Sequence, residues 1–491
     1  MRVPALLLFT AALAGCTVGP DYRPRAAAEL GVPAGYSVPA QATPEDLTRW
    51  WSNFDDPVLG QLVEQARVTN TDVAQAVARL RQAREALVQS RATLLPTLSG
   101  SAGYQRNENL RGGGRSFTLP DGTVVDTGGG GGTNNFSAGL SASYQVGLFG
   151  EIRRTVEASR AQYEASGFDY ATVLLTVESE VARNYVLARA YQAQLANARA
   201  SLGIQDDNLE IAGFRVQAGL VSSVDVEQAR SQRAQTAATV PQIEQQYAAS
   251  VARLGVLTGQ APGALRSALA AAKPIPKGPA TVGVGIPADT LRRRPDVRAA
   301  ERTLAAATAQ IGVAKAQLYP ALAITGNINT NATSIGDIGS AITGGLFAGL
   351  TQAIFNGGRL RSQVRSSEAA ADAALAGYRG IVLTALEDVE NAIVALDTAR
   401  QRETQFRIAY DAANASAILS RSQYRSGLTD FTTLNQQEAA LLSAQNGLVQ
   451  ARSDQATALI ALYDALGGGW DASVTPEAPE RGAPTPKGET S

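Results

Sequence analysis

Two rhythms of apolar and polar residues alternate along this chain. Ile152, Val156, Ser159, Tyr163, Ser166, Tyr170, Val173 and Val177 step by alternating fours and threes. After one extra four-step to Val181, the rhythm resumes at Ala188, Tyr191, Leu195, Ala198 and Leu202. Such steps define a 3.5-residue repeat and a narrow coiled-coil seam. Many seam positions are Ala or Ser, so neighbouring helices can approach closely. No proline occurs from Glu151 to Phe214, and a helix of that span is roughly 95 Å long. A seam this narrow stabilises it only within a bundle or wall of helices. Pro241 is expected to interrupt and bend the return helix.

The second rhythm has period two. Phe136, Ala138, Leu140, Ala142, Tyr144 and Val146 alternate with Ser137, Gly139, Ser141, Ser143, Gln145 and Gly147. Leu98, Gly100, Ala102 and Tyr104 alternate with Ser99, Ser101, Gly103 and Gln105. Leu322, Ile324 and Ile328 form a third case, and Leu346, Ala348, Leu350 and Ile354 a weaker fourth. Each predicted strand has about ten residues with one apolar and one small polar face, the pattern of a transmembrane β-strand. A soluble antiparallel sheet alternates in the same way. Arg111–Arg115 and Gly128–Gly132 are glycine-rich and predict a solvated loop between the first two strands.

The chain is also written twice. Phe214-Arg215-Val216-Gln217-Ala218-Gly219-Leu220 answers to Ser422-Gln423-Tyr424-Arg425-Ser426-Gly427-Leu428. Leu148-Phe149-Gly150 answers to Ile354-Phe355-Asn356, and Leu94-Leu95-Pro96 to Leu318-Tyr319-Pro320. The shared order of non-helical punctuation marks an internal duplication within one fold. The division that follows is 1–15 a signal peptide, 16–43 an anchored N-terminal segment and 44–262 a first repeat. A linker over 263–295, a second repeat over 296–467 and a disordered tail over 468–491 complete it. The strand pairs fall at about 97–148 and 321–355, and the long helical hairpins turn at Gly219 and Gly427.

Composition narrows the chemistry. Formal net charge is −1, which argues against nucleic acid as a main partner. The chain has no histidine, one methionine and one cysteine. That removes the commonest general base and metal ligand, and no disulfide can form within the chain. There is no GxSxG, HExxH or P-loop, so an enzyme has little support, and neither cofactor nor metal is expected. The cysteine, Cys16, ends Leu13-Ala14-Gly15-Cys16 behind Arg2 and an apolar run. That is a signal peptide with a small-residue cleavage site, and the tetrapeptide resembles a bacterial lipobox, which implies lipidation of Cys16. After the signal no run of about 18 apolar residues is read, hence no transmembrane helix. A membrane protein of this kind is a β-barrel or a lipid-anchored peripheral protein. Four strands cannot enclose a water-filled barrel, so several copies must pool their strands; two, three and four copies all remain open on this argument.

Four segments carry a family resemblance: Cys16-Thr17-Val18-Gly19-Pro20-Asp21-Tyr22-Arg23-Pro24, Trp50–Leu59, Gly285–Glu301 and Ile354–Leu360. They resemble the TolC-type outer-membrane factors, in the lipoprotein branch of OprM/NodT-type efflux proteins. The resemblance implies a mixed α and β membrane protein. It implies a homotrimer with a twelve-stranded β-barrel, four strands per chain, continuous with a twelve-helix periplasmic α-barrel. It implies location in the outer membrane, a lipid anchor supplemented by the barrel, and partnership with a periplasmic adaptor and an inner-membrane transporter. The linker over 263–295 then lies at the equator of the tunnel. The function implied is a passive exit duct for small compounds. The alternatives are a type I protein-secretion duct and a lipid-anchored coiled-coil protein without a pore.

In the family the two glycine turns form the periplasmic tip, which makes Arg215, Gly219, Ser222, Asp225, Tyr424, Arg425, Gly427, Asp430, Thr433 and Gln436 the gate candidates. Gly219 ends one helix, and Ser222 with Asp225 reads as a capping box for the next. Relatives commonly carry carboxylates at the positions of Thr433 and Gln436, and some carry arginine at that of Thr429. The expectation here is a tip held by helix packing and hydrogen bonds, without an acidic ring.

Overall fold

The computed structural model describes residues 17–39, 46–108, 115–127 and 132–477. Cys16, the signal peptide, residues 478–491 and most of the two glycine runs lie outside the described residues. The chain forms two compact units. One gathers the chain up to Arg23 with Arg84–Gln162 and Leu304–Ala374; the other gathers Pro24–Ala83, Tyr163–Thr303 and the chain from Leu375 onward.

The duplication is visible in helix lengths. Helix α1 (Pro57–Thr69) leads into α2 (Thr71–Ala92). The long hairpin of α3 (Glu151–Gln217) and α4 (Ser223–Leu257) follows. A short α5 (Pro287–Arg293) precedes α6 (Pro295–Ala316) and a second hairpin, α7 (Arg359–Arg425) and α8 (Phe431–Ala465). Helices α2 and α6 both have 22 residues, α3 and α7 both 67, α4 and α8 both 35. Pro295 starts α6, as the first-turn preference of proline predicts. Helix α4 runs through Pro241 instead of breaking there. Pro241 is exposed, so water can meet the carbonyl that its missing N–H leaves free. One 18-residue stretch of α7 reaches a mean hydropathy of 1.2, more apolar than the sequence reading allowed. It belongs to a 67-residue helix, roughly 100 Å long, more than three times the thickness of a bilayer core.

In the first unit, β1 (Thr97–Asn107), β4 (Thr133–Val146), β5 (Ala321–Ala332) and β6 (Ile342–Thr351) form an antiparallel sheet in that order. The register joins the four apolar sets into one face. Leu98 lies opposite Ala142, Leu140 opposite Ile328, Tyr144 opposite Ile324, and Leu322 opposite Leu350. The other face aligns Ser99 with Ser141, Ser141 with Asn327, and Ser143 with Thr325. Leu98, Leu346 and Leu350 are exposed, so among the described residues no core covers these positions, as in a lipid-facing sheet and unlike a soluble sheet packed on its own core. Between β1 and β4 the expected loop contains a small ribbon of β2 (Arg115–Thr118) and β3 (Val124–Thr127). Phe117, Val124 and Val125 give this stretch the β-propensity that the glycine runs concealed.

The same unit straps down the start of the described chain. The Val18 N–H donates to the Phe149 carbonyl at 3.2 Å. Buried Arg154 donates to the carboxylate of Asp21 at 2.6 Å and to the carbonyls of Val18 and Gly19 at 3.4 Å. Gly19 lies so close to Gly312 that a Cβ would come within 2.4 Å of its backbone.

The core of the second unit centres on aromatics. Trp50 stacks on Tyr463 at 5.5 Å and meets Trp51 and Phe54 edge-on. Leu59, Val63, Val181, Tyr185, Leu254 and Ile460 close around them. The 263–295 segment is packed, with Leu265, Leu269, Val282 and Val284 in this core. The tail expected to be disordered from Gly468 is ordered at its start. Trp470 packs on Phe168, and Arg298 lies over both rings. The Trp470 indole N–H donates to the Arg293 carbonyl at 3.1 Å. A composition rich in Pro, Glu and Thr further along hid one anchoring tryptophan.

Along the first half of α3 the side buried against its own chain is a neighbour of the seam read from spacing, and further along the seam positions Val177, Val181, Ala188 and Ala198 are themselves buried. Ala161, Ala165, Phe168, Leu175, Glu178, Ala182, Tyr185, Arg189 and Gln192 are buried, whereas Ile152, Val156, Tyr163 and Tyr170 are half-buried. Hydrophobicity missed this stripe because Glu178, Arg189 and Gln192 lie on it. Arg189 stacks on Tyr185 and bonds Gln192 at 2.7 Å and the Ala271 carbonyl at 2.8 Å.

Candidate functional site

Both long hairpins turn through the same backbone device. In the first, the Leu220 N–H reaches the Arg215 carbonyl at 2.9 Å and the Gly219 N–H reaches Val216 at 2.9 Å. In the second, Leu428 reaches Gln423 at 2.8 Å and Gly427 reaches Tyr424 at 3.0 Å. These paired bonds are the Schellman motif, and its left-handed residue is glycine in each case, Gly219 at φ 71° and Gly427 at φ 75°. At the C3 positions that face Leu220 and Leu428 stand the polar residues Arg215 and Gln423. Leu220 and Leu428 point to solvent, 73 % and 78 % exposed.

The helices after the turns are capped differently. Ser222 Oγ accepts from the Val224 N–H at 3.3 Å, while no bond from the Asp225 side chain back to Ser222 occurs among the described residues. The expected reciprocal box is thus a single cap, since aspartate is one methylene shorter than the glutamate that usually completes it. Asp430 caps α8 through the Thr433 N–H at 2.7 Å, and that bond holds its carboxyl below the usual carboxylate range.

Only part of the candidate set comes together. Arg215 donates to the Tyr424 carbonyl at 2.5 Å and lies over the Tyr424 ring at 4.3 Å. It thereby ties the end of α3 to the end of α7, with its guanidinium in van der Waals range of Gly427. Tyr424 is buried with Phe431, Leu434 and Ala229, and meets Phe431 edge-on at 5.9 Å. Burial pushes the Tyr424 hydroxyl above its ordinary pKa, opposed by Arg215 and reinforced by Asp225. Thr433 lies half-buried on the first turn of α8, and Arg425 and Gln436 are exposed.

Near the turns, spacing missed two interhelical pairs. Arg421 grips buried Glu438 with two parallel bonds, through Nε and, at 2.7 Å, through Nη2. In the first hairpin Arg233 binds Asp206 instead. For one of them a signal was available, because an antiparallel hairpin places residues equidistant from its turn side by side. Asp206 and Arg233 flank the first turn in this way, 13 residues before and 14 after Gly219, whereas Arg421 and Glu438 lie 6 before and 11 after Gly427 and carried no such signal.

An amphipathic sheet with a lipid-type face and two long helical hairpins per chain define an outer-membrane channel protein. The family model described as "Outer membrane efflux protein" matches residues 62–260 and 286–468. The chain belongs to this family. It is 34% identical over 439 residues to the pyoverdine export outer membrane protein OpmQ of Pseudomonas aeruginosa, covering 89% of this chain and 90% of that one. It is 32% identical to nodulation protein T of Rhizobium leguminosarum bv. trifolii, covering 94% and 96%. The solved structure of the outer-membrane channel OprN superposes with a TM-score of 0.81 at 32% identity, over 93% of this chain and all of that one. The fold class follows: a trimeric channel protein with four strands per chain in a twelve-stranded barrel, long helices in an α-barrel, and an internal duplication. Its function is outer-membrane efflux.

Proposed function

We propose that this chain is the passive, lipid-anchored exit duct of a tripartite system. A periplasmic adaptor docks at the Gly219 and Gly427 turns, and an inner-membrane transporter supplies small compounds and energy. The apolar face continuous across four strands, with Leu98, Leu346 and Leu350 exposed among the described residues, carries the reading. Exposed Leu95, Ile354 and Phe355 flank the strand ends, where a transmembrane barrel carries an interfacial girdle. The strap that holds Val18 at Phe149, just past the end of β4, supports lipid attachment at Cys16 beside that end.

With a working signal peptide retained, Cys16→Ala is expected to remain a trimer in the outer membrane and to conduct in planar bilayers. Its recovery as soluble periplasmic protein would remove the duct reading, because the strands would then not span.

Gating rests on the candidate tip residues. The closed tip is held by the Arg215–Tyr424 contact and by packing around Tyr424, with Asp225 close by and neutral Thr433 and Gln436 in place of an acidic ring. Arg215→Ala is expected to raise single-channel open time by about tenfold, the equivalent of a cation–π contact of ordinary strength. Unchanged gating in that variant would show that the contact only supports the fold.

A further inference from the structure

We propose that Phe347 is a stacking site for planar, π-conjugated solutes on the water side of the strands. It rests on the duct reading above and adds a chemical preference to it. Strand alternation places Phe347 opposite Thr325, which lies opposite Ser143, which lies opposite Thr97. This is the polar face, built otherwise from Ser, Thr, Asn, Gln, Gly and Ala, and Phe347 is its one aromatic side chain among the described residues. The ring is 66 % exposed and is not part of the core among the described residues.

Its position is also prepared by the strand. The two same-face neighbours on β6 are Gly345 and Gly349. A Cβ at Gly349 would lie 2.6 Å from Cε1 and 3.0 Å from Cζ of Phe347. The ring therefore leans along the strand over bare glycine backbone, and any side chain at 349 would displace it. An aromatic ring held against its own strand presents π surface to the water column. Planar aromatic solutes gain offset stacking there, whereas saturated solutes of equal size gain only contact area. Three chains place three such rings at one level, and a barrel of twelve strands is too wide for them to close. The rings thus retard aromatic solutes without sealing the duct.

The test uses the full-length trimer in planar bilayers, with phenylalanyl-phenylalanine amide and its cyclohexylalanine counterpart as probes. Current interruptions are expected to last about 2- to 10-fold longer for the aromatic probe, the span of one aromatic pair. Phe347→Ala abolishes the difference, and Phe347→Trp retains it. Equal interruptions by both probes in the natural protein overturn the proposal, as does a difference that survives Phe347→Ala. A Phe347→Ala chain that no longer forms trimers overturns it too, because the ring is then a packing residue between subunits. A natural protein that passes no current removes the duct reading itself, and the stacking site with it; every other outcome leaves the duct standing.

Discussion

Arg67→Ala is expected to cost the helical unit about 3 to 5 kcal/mol at pH 9, the usual effect of stranding one member of a buried ion pair. Glu178 is completely buried. Arg67 Nη1 binds its carboxylate and, at 2.9 Å, the Gly469 carbonyl. Burial pushes Glu178 up to about 8, and the neighbouring Arg67 opposes that rise. The folded pKa therefore exceeds the unfolded one. Glu178 contributes stability that is fully present below the unfolded value and is lost as pH rises through about 8. Removing Arg67 raises the folded pKa further, so the deficit is largest at pH 9. At pH 6 the carboxyl is protonated, and only the lost hydrogen bonds count, about 1 to 3 kcal/mol. Denaturant unfolding of the detergent-solubilised protein at the two pH values measures both. Glu178→Gln should flatten the pH slope. Equal cost of Arg67→Ala at pH 6 and pH 9 would show that Glu178 does not titrate in this range.

The second large effect is local. Arg421→Ala leaves Glu438 buried without its two donors. Arg421 itself keeps about a quarter of its side-chain surface in water, which places the expected cost at the lower end, about 2 to 4 kcal/mol. Hydrogen exchange should accelerate in the last turns of α7 and the first turns of α8. The first hairpin should be untouched, because its Asp206–Arg233 pair is separate. Arg421→Met combined with Glu438→Leu should recover most of the loss, since apolar side chains of similar volume need no partner. Protection unchanged in Arg421→Ala would mean that the hairpin is held by its apolar contacts alone.

These residues show where sequence reading stops. Helix lengths, strand faces, glycine turns and the duplication depend on local periodicity and punctuation, and each is visible within a few tens of residues. The buried surface of α3 is wider than its apolar seam because Glu178, Arg189 and Gln192 are polar by type and buried only through distant partners. Arg67 lies 111 positions from Glu178, and the Ala271 carbonyl lies 82 positions from Arg189. Trp470 was lost within a polar tail for the same reason, as its partners Phe168 and Arg298 are remote in sequence.

The tip divides in the same way. Gly219 and Gly427 declare themselves, because a helix that ends in a left-handed residue selects glycine. The contact between Arg215 and Tyr424 does not, since it joins the two repeats across 209 positions. Local patterning already established that this chain alternates long helices with short amphipathic strands, twice, behind a cysteine that ends a lipobox-like tetrapeptide. Folding settled which charges are buried, that the Ser222 cap is single, and that Phe347 leans over Gly349 on the polar face of the sheet. Backbone periodicity is a local property of the chain, whereas burial and partnership are set by segments that meet only after folding.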